Sequence, residues 1–339
     1  MSTYSPLRWG ILGAGSIAHQ FTGDVQPLLD QEVVAVGSRE IEKANAFADK
    51  YNIANRHDSY EALVADPSVD AIYVATPHNF HKEHVLLSLR AGKHVLCEKP
   101  FTVNAKEAEE IIVEARGRKL FLMEAMWPRF FPGWAKVREL IASGAIGKVR
   151  MLEADFGFKG GSTGDDGMLT GVNPEARLYN PALAGGALMD VGCYPVSLAQ
   201  MILGTPVEVA ALGTIGHTGV DENTAMLLRY AGGEIAITST SLQVNTGHNV
   251  TIVGTDGRIE VRSNWWCPKQ IVLIPSNQVP QPFEFPFEGK GFQFEAMEVA
   301  ACLRAGKTES EILSLDDSLV IMKSLDALRD KLGLKYPME

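Results

Sequence analysis

The first third of the chain alternates short apolar runs with amphipathic stretches. The apolar runs predict strands at 8–12, 33–36, 71–75, 94–97 and 120–123. Between them, apolar residues spaced three and four apart predict helices from Ser16 onward and at 41–51, 81–91 and 105–116. Strands as apolar as these are typical of a parallel sheet with helices on both faces.

After a further helix predicted at 133–143, the pattern changes to longer strands separated by turn signals. The strands are predicted at 148–158, 208–214, 224–230, 234–242, 248–253 and 258–261. Hairpin turns such as Ala231-Gly232-Gly233 make successive strands antiparallel, so one face of the sheet is free to meet the first domain or another subunit. We expect a homodimer or homotetramer. Helices at 195–203, 294–304 and 315–331 follow, and the last either completes this domain or packs on the first.

The length of the chain supports two domains, since 339 residues exceed what one hydrophobic core usually organises. We predict an α/β protein with a dinucleotide-binding domain over residues 1–124. Residues 125–339 form a second α/β domain on an open, mainly antiparallel sheet. A hydrophobic content of 46% is typical of a globular protein with a large core.

Charge and cysteine usage argue against several classes of function. A formal net charge of -10 disfavours a general surface for nucleic acids or anionic membranes, since both need clustered Lys and Arg. The polar start and the lack of an apolar run near the roughly 20 residues that span a bilayer lead us to expect a cytoplasmic protein. The four cysteines are far apart, so neither a zinc site nor a disulfide framework is expected.

A glycine-rich loop follows the first predicted strand. Gly13 and Gly15 stand where the dinucleotide fingerprint needs a tight turn and close approach to pyrophosphate, and Ala18 where helix and strand pack closely. The helix that begins with Ser16 and Ile17 offers free N–H groups to a phosphate. The alternative is a packing turn without a ligand, but the repeating strand–helix pattern favours a nucleotide site.

The end of the second strand indicates which nicotinamide cofactor binds. NAD-binding domains normally carry an acidic residue there to hold the ribose 2′-OH, but here the strand runs into Gly37-Ser38-Arg39. Arg39 can pair with a 2′-phosphate and stack on adenine, and Ser38 can donate a hydrogen bond. NADP is therefore favoured over NAD, although Glu40 softens this preference. The alternative for Arg39 is a solvated charge at a helix start.

Lys99 is the first candidate for reaction chemistry. The triplet Glu98-Lys99-Pro100 ends an apolar strand, and open parallel sheets place ligands outside the carboxyl ends of their strands. A lysine at that point can reach a bound nicotinamide. The alternative is a strand exit in which the proline sets the bend.

Asp190 and Tyr194 are the second candidates. They stand four residues apart at the entry to a helix, a spacing that puts both on one face if the segment is helical. A nearby ammonium lowers the pKa of a tyrosine from about 10, so Lys99 would make Tyr194 usable as an acid and base. Asp190 would orient the substrate hydroxyl or Lys99. Without the lysine, an N-cap aspartate and a packed tyrosine are the better interpretation.

Five motifs, in order along the chain, resemble the glucose–fructose oxidoreductase, inositol dehydrogenase and rhizopine-catabolism (Gfo/Idh/MocA) family: Gly10–Ala18, Ala75-Thr76-Pro77, Ala91–Val95, Glu98-Lys99-Pro100 and Gly186–Tyr194. The resemblance covers nearly the whole chain. It implies a Rossmann domain followed by an open-sheet α/β domain, with Lys99, Asp190 and Tyr194 at the nicotinamide. In the inositol dehydrogenase branch the position of Tyr194 is usually histidine, which weakens inositol as the substrate.

The segment 124–132, with Tyr194-Pro195, is more similar to the subgroup of dimeric dihydrodiol dehydrogenases and NADP-dependent D-xylose dehydrogenases. That similarity implies Trp127 and Phe156 as apolar walls of the substrate pocket and Arg129 as a polar neighbour. Packing at a domain interface is an equal alternative for this aromatic segment. We expect further cofactor contacts from Lys43, Thr76, Pro77, His78, His81 and Glu98.

His78, His81 and His84 follow one another at three-residue spacing. A metal site is one interpretation. However, three-residue steps drift around a helix, and the segment opens beside the nucleotide site. We therefore expect neutral, hydrogen-bonded histidines and no metal.

These features predict an NADP-dependent oxidoreductase that moves hydride between the nicotinamide and a cyclic polyol, a sugar or a vicinal diol, such as a trans-dihydrodiol or D-xylose. Tyr194 would exchange the proton, Lys99 would supply charge, and Asp190 would orient the substrate. One alternative is a reductase of a dicarbonyl or anhydro-sugar. Another is a non-catalytic regulator that senses a nucleotide or sugar, since the same fold serves a galactose-pathway repressor.

Overall fold

The computed structural model describes residues 5–339, and the chain divides into two compact units. The first unit extends to Trp127 and includes Glu288–Ser318. The second consists of Pro128–Phe287 and Leu319–Glu339. This division differs from a single boundary between residues 124 and 125, because a late segment of the chain belongs with the first unit.

In the described part of the first unit, six parallel strands form a sheet in the order β3-β2-β1-β4-β5-β6. The strands are β1 (Leu7–Leu12), β2 (Gln31–Gly37), β3 (Asn55–His57), β4 (Ala71–Val74), β5 (His94–Glu98) and β6 (Leu122–Ala125). The helices between them are α1 (Ser16–Val25), α2 (Ile41–Tyr51), α3 (Tyr60–Ala65), α4 (His81–Arg90) and α5 (Ala105–Arg118). Every residue of β4 is buried, which explains its uniformly apolar sequence.

The predicted strands and helices of this unit are confirmed to within a few residues, and α2 has the predicted bounds. The hydrophobic pattern does not predict β3 or α3. The strand β3 lies at the edge of the sheet and is polar, so it carries no apolar run. Helix α3 is short, although Ser59 accepts a hydrogen bond from the Ala62 N–H and is a usable N-cap signal.

The described residues of the second unit form a sheet of eight strands in the order β10-β11-β12-β7-β13-β14-β15-β16. Its helices are α6 (Pro132–Ala142) and α7 (Cys193–Leu203), and a small hairpin pairs β8 (Ser162–Thr163) with β9 (Leu169–Thr170). The strands of the large sheet are β7 (Val149–Gly157), β10 (Glu208–Ile215), β11 (Asp221–Arg229), β12 (Ile235–Ser241), β13 (Val250–Gly254), β14 (Gly257–Val261), β15 (Gln270–Pro275) and β16 (Gln281–Glu284).

The strand directions confirm a mainly antiparallel sheet. Strands β7 and β12 pair in parallel, whereas the other neighbours pair antiparallel. The predicted strands are present, but the pattern does not predict β15 or β16. The two faces differ in cover, since α7 packs against β7 and β12 while the other face is open. On the open face Leu212, Leu227 and Ile237 are exposed around a groove of about 490 Å³.

Helix α8 (Phe292–Arg304) belongs to the first unit because it packs on α1. Asp24 of α1 accepts hydrogen bonds from the backbone N–H groups of Lys290, Gly291 and Phe292. A carboxylate from one helix thus caps the start of the other. Helix α9 (Leu315–Leu332) follows, and from Leu319 onward it belongs to the second unit and not to the first.

One helical stretch of the described chain, Pro181–Leu203, is long and apolar enough to cross a membrane by length and composition alone. The sequence pattern led us to expect no such stretch. However, 89% of its most apolar window is buried inside the protein, which is typical of a core helix. None of the four cysteines, all within residues 5–339, forms a disulfide; Cys97, Cys193 and Cys302 are buried as small hydrophobic side chains, while Cys267 is partly exposed.

Candidate active site

The glycine loop leaves the start of α1 open to a ligand. Gly13 has a φ of +102°, and a Cβ there would lie 3.2 Å from the Ala75 carbonyl oxygen, so the turn needs glycine. Gly15 is the N-cap of α1, no side chain caps the helix, and a Cβ on Gly15 would meet nothing within 4 Å. The backbone N–H groups that follow, from Ser16 and Ile17, are therefore available to a phosphate.

The same loop shows how closely helix and strand pack. Ala18 is fully buried, as the fingerprint requires at this position. The Gly13 N–H donates to the Gly37 carbonyl oxygen at 3.0 Å, which ties the loop to the end of β2. The residues present thus fit the pyrophosphate of a dinucleotide: an uncapped helix start, space above Gly15, and a rigid turn below it.

A pocket of about 300 Å³ lies beside the end of β2. Arg39 is exposed, and its guanidinium carbon lies 5.9 Å from the centre of the Phe80 ring. The rings of Tyr60 and His84 meet edge to face at 4.7 Å in the same pocket. A guanidinium above an aromatic ring can stack on adenine and pair with a phosphate. Asp58, Glu61 and Glu83 also line the pocket, and their carboxylates are negative. The positive charge in the pocket therefore comes from Arg39.

Ser38 and Lys43 are placed differently from Arg39. The Ser38 hydroxyl accepts a hydrogen bond from the Glu40 N–H at 3.3 Å, and Ser38 is buried. The Lys43 ammonium lies 2.7 Å from the Glu40 carboxylate, and both side chains are exposed. Glu40 therefore neutralises Lys43 instead of Arg39.

His81 connects the ends of two neighbouring strands. Its Nε2 lies 2.9 Å from the Thr76 carbonyl oxygen, and its Nδ1 lies 2.9 Å from the Pro100 carbonyl oxygen. Burial lowers the pKa of His81 to about 4, so the ring is neutral near pH 7 and donates to one of these carbonyl groups. Because both ring nitrogens contact backbone carbonyl groups, His81 fixes the shape of the loop, and its direct contact with the cofactor stays a prediction.

The other two histidines, His84 and His78, are also buried. Nδ1 of His84 lies 2.9 Å from the Thr76 hydroxyl, and burial lowers the pKa of this histidine. His78 is buried at the start of a 3-10 turn that follows Pro77. No group of three or more His, Cys, Asp and Glu side chains within residues 5–339 could hold a metal ion.

Glu98 fixes the backbone of Lys99. Glu98 is buried at the end of β5, and its Oε2 accepts a hydrogen bond from the Lys99 backbone N–H at 3.2 Å. Its other carboxylate oxygen accepts from the Tyr73 hydroxyl. The Lys99 side chain is half-buried, and the Lys99-Pro100 peptide bond is cis. Glu98 therefore supports the candidate lysine at the strand end, and its contact with the cofactor stays a prediction.

Glu295 is a buried carboxyl group that the sequence pattern does not single out. It lies in the first turn of α8, is fully buried, and neither of its oxygens has a hydrogen-bond partner in the described structure. Burial, and then the charge of Glu98, raises the pKa of Glu295 well above its usual value. Burial therefore favours the protonated, neutral form of this carboxyl group. Its position on the apolar face of α8 is the signal that could have identified it.

Asp190 and Tyr194 lie where a π-helix meets an α-helix. The π-helix, Leu188–Gly192, carries Asp190 and runs directly into α7, whose first turn carries Tyr194. Both residues are only 8% exposed. The predicted common face assumed α-helical geometry, but a π-helix bonds residue i to i+5, so four residues do not complete its turn. Such turns are frequent at functional sites.

An ion pair and an aromatic cluster border these two residues. Nη1 of Arg177 lies 2.9 Å from Oδ1 of Asp190. The ring of Phe156 lies 5.3 Å from that of Tyr194 and stacks in parallel on Trp266 at 4.0 Å. The His248 ring meets Trp266 edge to face at 4.8 Å.

The structure thus brings Phe156 to Tyr194, and the role of Phe156 as a wall of the substrate pocket stays a prediction. The structure adds Arg177, Trp266 and His248, which the sequence pattern does not identify. The pair Trp265-Trp266 lies in a loop between strands, and two adjacent tryptophans in such a segment are a usable signal for a binding surface.

Trp127 and Arg129 each contact other side chains of the protein. Trp127 stacks on Phe292 of α8, with ring centres 4.7 Å apart and 12° between the planes. Arg129 is buried, and its Nε donates to the Ser197 hydroxyl at 2.9 Å. Its Nη2 donates to the Ser197 carbonyl oxygen at 2.6 Å and to the Gln200 side chain. A guanidinium bonded in this way holds α7 in place, and its expected role as a polar neighbour of the substrate stays a prediction.

Each unit therefore assembles one set of candidate residues. The first unit holds the glycine loop, the Arg39 pocket and Lys99 with Glu98. The second holds Asp190, Tyr194 and Phe156.

Comparison with known proteins gives two matching families for the two parts of the chain. Residues 7–126 match the oxidoreductase family with an NAD-binding Rossmann fold. Residues 134–260 match the Gfo/Idh/MocA C-terminal domain. These matches lie over the two sheets described above.

Relatives and solved structures match over nearly the full length. The trans-1,2-dihydrobenzene-1,2-diol dehydrogenase of Mus musculus is 39% identical, over 98% of this chain and 99% of the relative. The enzyme of that name from Homo sapiens is 37% identical, over 98% and 99%. A 3-ketoreductase from Actinomadura kijaniata, solved with NADP and TDP-benzene, superposes with a TM-score of 0.83 at 26% identity, over 96% and 98% of the chains.

A second solved structure supports the same conclusion. The aldose-aldose oxidoreductase of Caulobacter crescentus superposes with a TM-score of 0.84 at 25% identity, over 97% of this chain and 98% of the other. Two family matches, full-length relatives and the same fold agree with the five sequence motifs. The chain belongs to the Gfo/Idh/MocA family of oxidoreductases.

Proposed function

We propose that this protein is an NADP-dependent oxidoreductase that interconverts a vicinal diol or sugar with its carbonyl product. The observation that carries the proposal is the Tyr194 ring, which lies 5.3 Å from Phe156 in a stacked aromatic cluster and follows the π-helix that carries Asp190. A flat cyclic diol can stack on Phe156 and Trp266 while its hydroxyl groups meet polar side chains. The dihydrobenzenediol named for the relatives has this shape.

The residues have distinct roles in the proposed reaction. When bound at the glycine loop, a nicotinamide cofactor would supply the hydride chemistry in either direction. Tyr194 takes the hydroxyl proton as the carbonyl forms, and returns it in the reverse direction. The family resemblance implies that Lys99 would supply a positive charge to the reaction, and Glu98 fixes the lysine backbone. Asp190 orients the substrate hydroxyl.

The preference for NADP rests on the pocket around Arg39. An exposed guanidinium above Phe80, at a strand end that lacks the usual acidic residue, suits a 2′-phosphate better than a free ribose hydroxyl. The 3-ketoreductase relative was solved with NADP. Thr76 and Pro77 line the same pocket.

We further propose a cytoplasmic homodimer or homotetramer that uses the open face of the second sheet. The apolar side chains exposed on that face are Leu212, Leu227, Ile235 and Ile237. Contiguous apolar surface of this kind is typical of a protein interface. The partners proposed for the chain are thus a second copy and a small diol or sugar, with no nucleic acid or membrane.

A substrate panel tests the proposed function. The purified protein is assayed with trans-1,2-dihydrobenzene-1,2-diol, D-xylose and inositols, each with NADP⁺ and with NAD⁺, and reduced nicotinamide is followed by absorbance. We expect turnover of the dihydrodiol, with a higher kcat/KM for NADP⁺. Carbonyl compounds with NADPH test the reverse direction, which the 3-ketoreductase relative suggests. A protein that binds NADPH but turns over no member of either panel would instead be a sensor.

A further inference from the structure

Two glycines precede the π-helix that carries Asp190. Gly186 has a φ of +117°, and a Cβ there would lie 2.2 Å from Oδ1 of Asp221. A Cβ on Gly185 would lie 2.6 Å from the Leu178 carbonyl oxygen. The backbone therefore passes between close neighbours on two sides, and only glycine fits.

Asp221 holds the start of the π-helix. This residue begins β11 and is fully buried. Its Oδ2 accepts hydrogen bonds from the Leu188 backbone N–H at 2.8 Å and from the Thr224 hydroxyl at 2.9 Å. Leu188 is the first residue of the π-helix, where backbone N–H groups have no partner within the helix. A side chain from the sheet thus fixes the helix that leads to Tyr194.

Tyr336 holds the same stretch from another direction. It is buried, and its hydroxyl donates a hydrogen bond of 2.7 Å to the Gly185 carbonyl oxygen. The ring of Tyr336 lies under Arg329, whose guanidinium carbon is 4.9 Å from the ring centre. Arg329 in turn bonds both carboxylate oxygens of Glu339 at 2.8 Å. The segment 333–339 is thereby anchored to α9, so the Tyr336 hydroxyl has a fixed position.

We propose that Asp221 and Tyr336 are positioning residues, which fix the backbone 185–188 and so orient Asp190 and Tyr194. This inference rests on the proposed function, since it requires that Asp190 and Tyr194 act on the substrate. Both residues act through backbone atoms, so they are not catalytic residues. Their effect is large because a displacement of a reacting group by about 1 Å can cost roughly a hundredfold in rate.

The main test compares Tyr336→Phe with Tyr230→Phe. Each variant loses one buried hydroxyl from the second unit, but the Tyr230 hydroxyl has no hydrogen-bond partner in the described structure. With trans-1,2-dihydrobenzene-1,2-diol and NADP⁺, we expect Tyr336→Phe to lower kcat about tenfold or more. The KM for NADP⁺ should change less than about twofold, and Tyr230→Phe should match the wild type in both constants.

Asp221 provides a second test through a pair of variants. Asp221→Asn keeps an oxygen that accepts from the Leu188 N–H, whereas Asp221→Ala removes it. We expect Asp221→Asn to retain most of the wild-type kcat and Asp221→Ala to lose it. Amide hydrogen exchange of residues 186–192 should speed up in Tyr336→Phe but not in Tyr230→Phe, and this measurement does not depend on turnover.

The outcomes separate this inference from the proposed function. Equal kcat and equal hydrogen exchange in Tyr336→Phe and Tyr230→Phe would overturn the positioning role, even if Tyr194→Phe is inactive. Wild-type turnover by Tyr194→Phe would overturn the proposed chemistry, and the positioning role with it.

Discussion

Arg177 and Asp190 form an ion pair, with Nη1 of the arginine 2.9 Å from Oδ1 of the aspartate. Arg177 is exposed on the loop between β9 and α7, whereas Asp190 is buried in the π-helix that precedes Tyr194. The loop therefore supplies a cation to the carboxylate that we propose to orient the substrate hydroxyl. Sequence spacing had suggested Lys99 or the substrate as the partner of Asp190.

We predict that Arg177→Ala lowers kcat/KM for the diol about tenfold, because Asp190 loses the charge that holds its carboxylate in place. The KM for NADP⁺ should stay unchanged. Arg150→Ala is a matched control, since Arg150 pairs with Glu234 at 3.3 Å on the surface of the same unit. Equal losses in the two variants would show that the Arg177 pair has no special role.

Tyr194→Phe should reduce kcat by about a hundredfold or more, because it removes the proposed proton acceptor and leaves the ring in the aromatic cluster. NADPH affinity, measured by nicotinamide fluorescence, should stay within about twofold of the wild type. If the variant turns over at the wild-type rate, Tyr194 has no part in proton transfer.

Arg39→Ala should raise the KM for NADP⁺ about tenfold to a hundredfold, the range expected for the loss of hydrogen bonds to a charged phosphate. The KM for NAD⁺ should change little, since NAD⁺ lacks the 2′-phosphate. Lys43→Ala is the control, because Glu40 already neutralises that lysine at 2.7 Å. A parallel rise for both cofactors would indicate that Arg39 acts only by stacking.

Asp221 predicts a pH dependence of stability. Burial raises its pKa from 3.8 to about 6, so the folded state binds a proton more tightly than the unfolded state. Its contribution to stability is thus present at low pH and is lost as the pH rises through about 6. The stability of Asp221→Asn relative to the wild type should increase by about 2 kcal/mol between pH 4 and pH 7, as measured by urea unfolding. A constant difference would contradict the raised pKa.

At Asp66, substitution by Asn should change the pH dependence of stability in the opposite direction. Burial alone would raise the pKa of Asp66, but hydrogen bonds from Ser68, His57 and Asn55 outweigh it and lower the pKa from 3.8 to about 2. Its contribution is therefore present above about pH 4 and is lost as the pH falls toward 2. Asp66→Asn should lower the free energy of unfolding by about 2 kcal/mol at pH 7. The difference in this free energy between variant and wild type should become smaller toward pH 3.

Much of the first unit follows from local patterns in the chain. Apolar runs and helical spacing predict most of its strands and helices, and Gly13, Gly15 and Ala18 predict the open start of α1, because each feature depends on neighbours within a few residues. Lys99 is predictable for a related reason. The topology of a parallel sheet assigns the carboxyl end of every strand to the same edge.

Contacts between distant parts of the chain could not be read in this way. Three examples are the hydrogen bonds between Arg129 and Ser197, between Asp221 and Leu188, and between Tyr336 and Gly185. In each pair the residues are far apart in the sequence, so no local hydrophobic pattern relates them. Such contacts depend on how helices and strands pack, so a buried arginine and a substrate-binding arginine look alike in the sequence. The π-turn at Asp190 is a further case, since the predicted spacing assumed an α-helix.

What the sequence predicts and what only the tertiary structure decides thus differ for a physical reason. Hydrophobic period, turn chemistry and the glycine fingerprint are properties of short segments, and they suffice for the α/β class, the nucleotide loop and the candidates Lys99, Asp190 and Tyr194. Long-range packing decides three other features. These are the position of α8 in the first unit, the burial of Glu295, and the hydrogen bonds that hold the π-helix. Burial and partner choice, which set charge and orientation, exist only once the chain has folded.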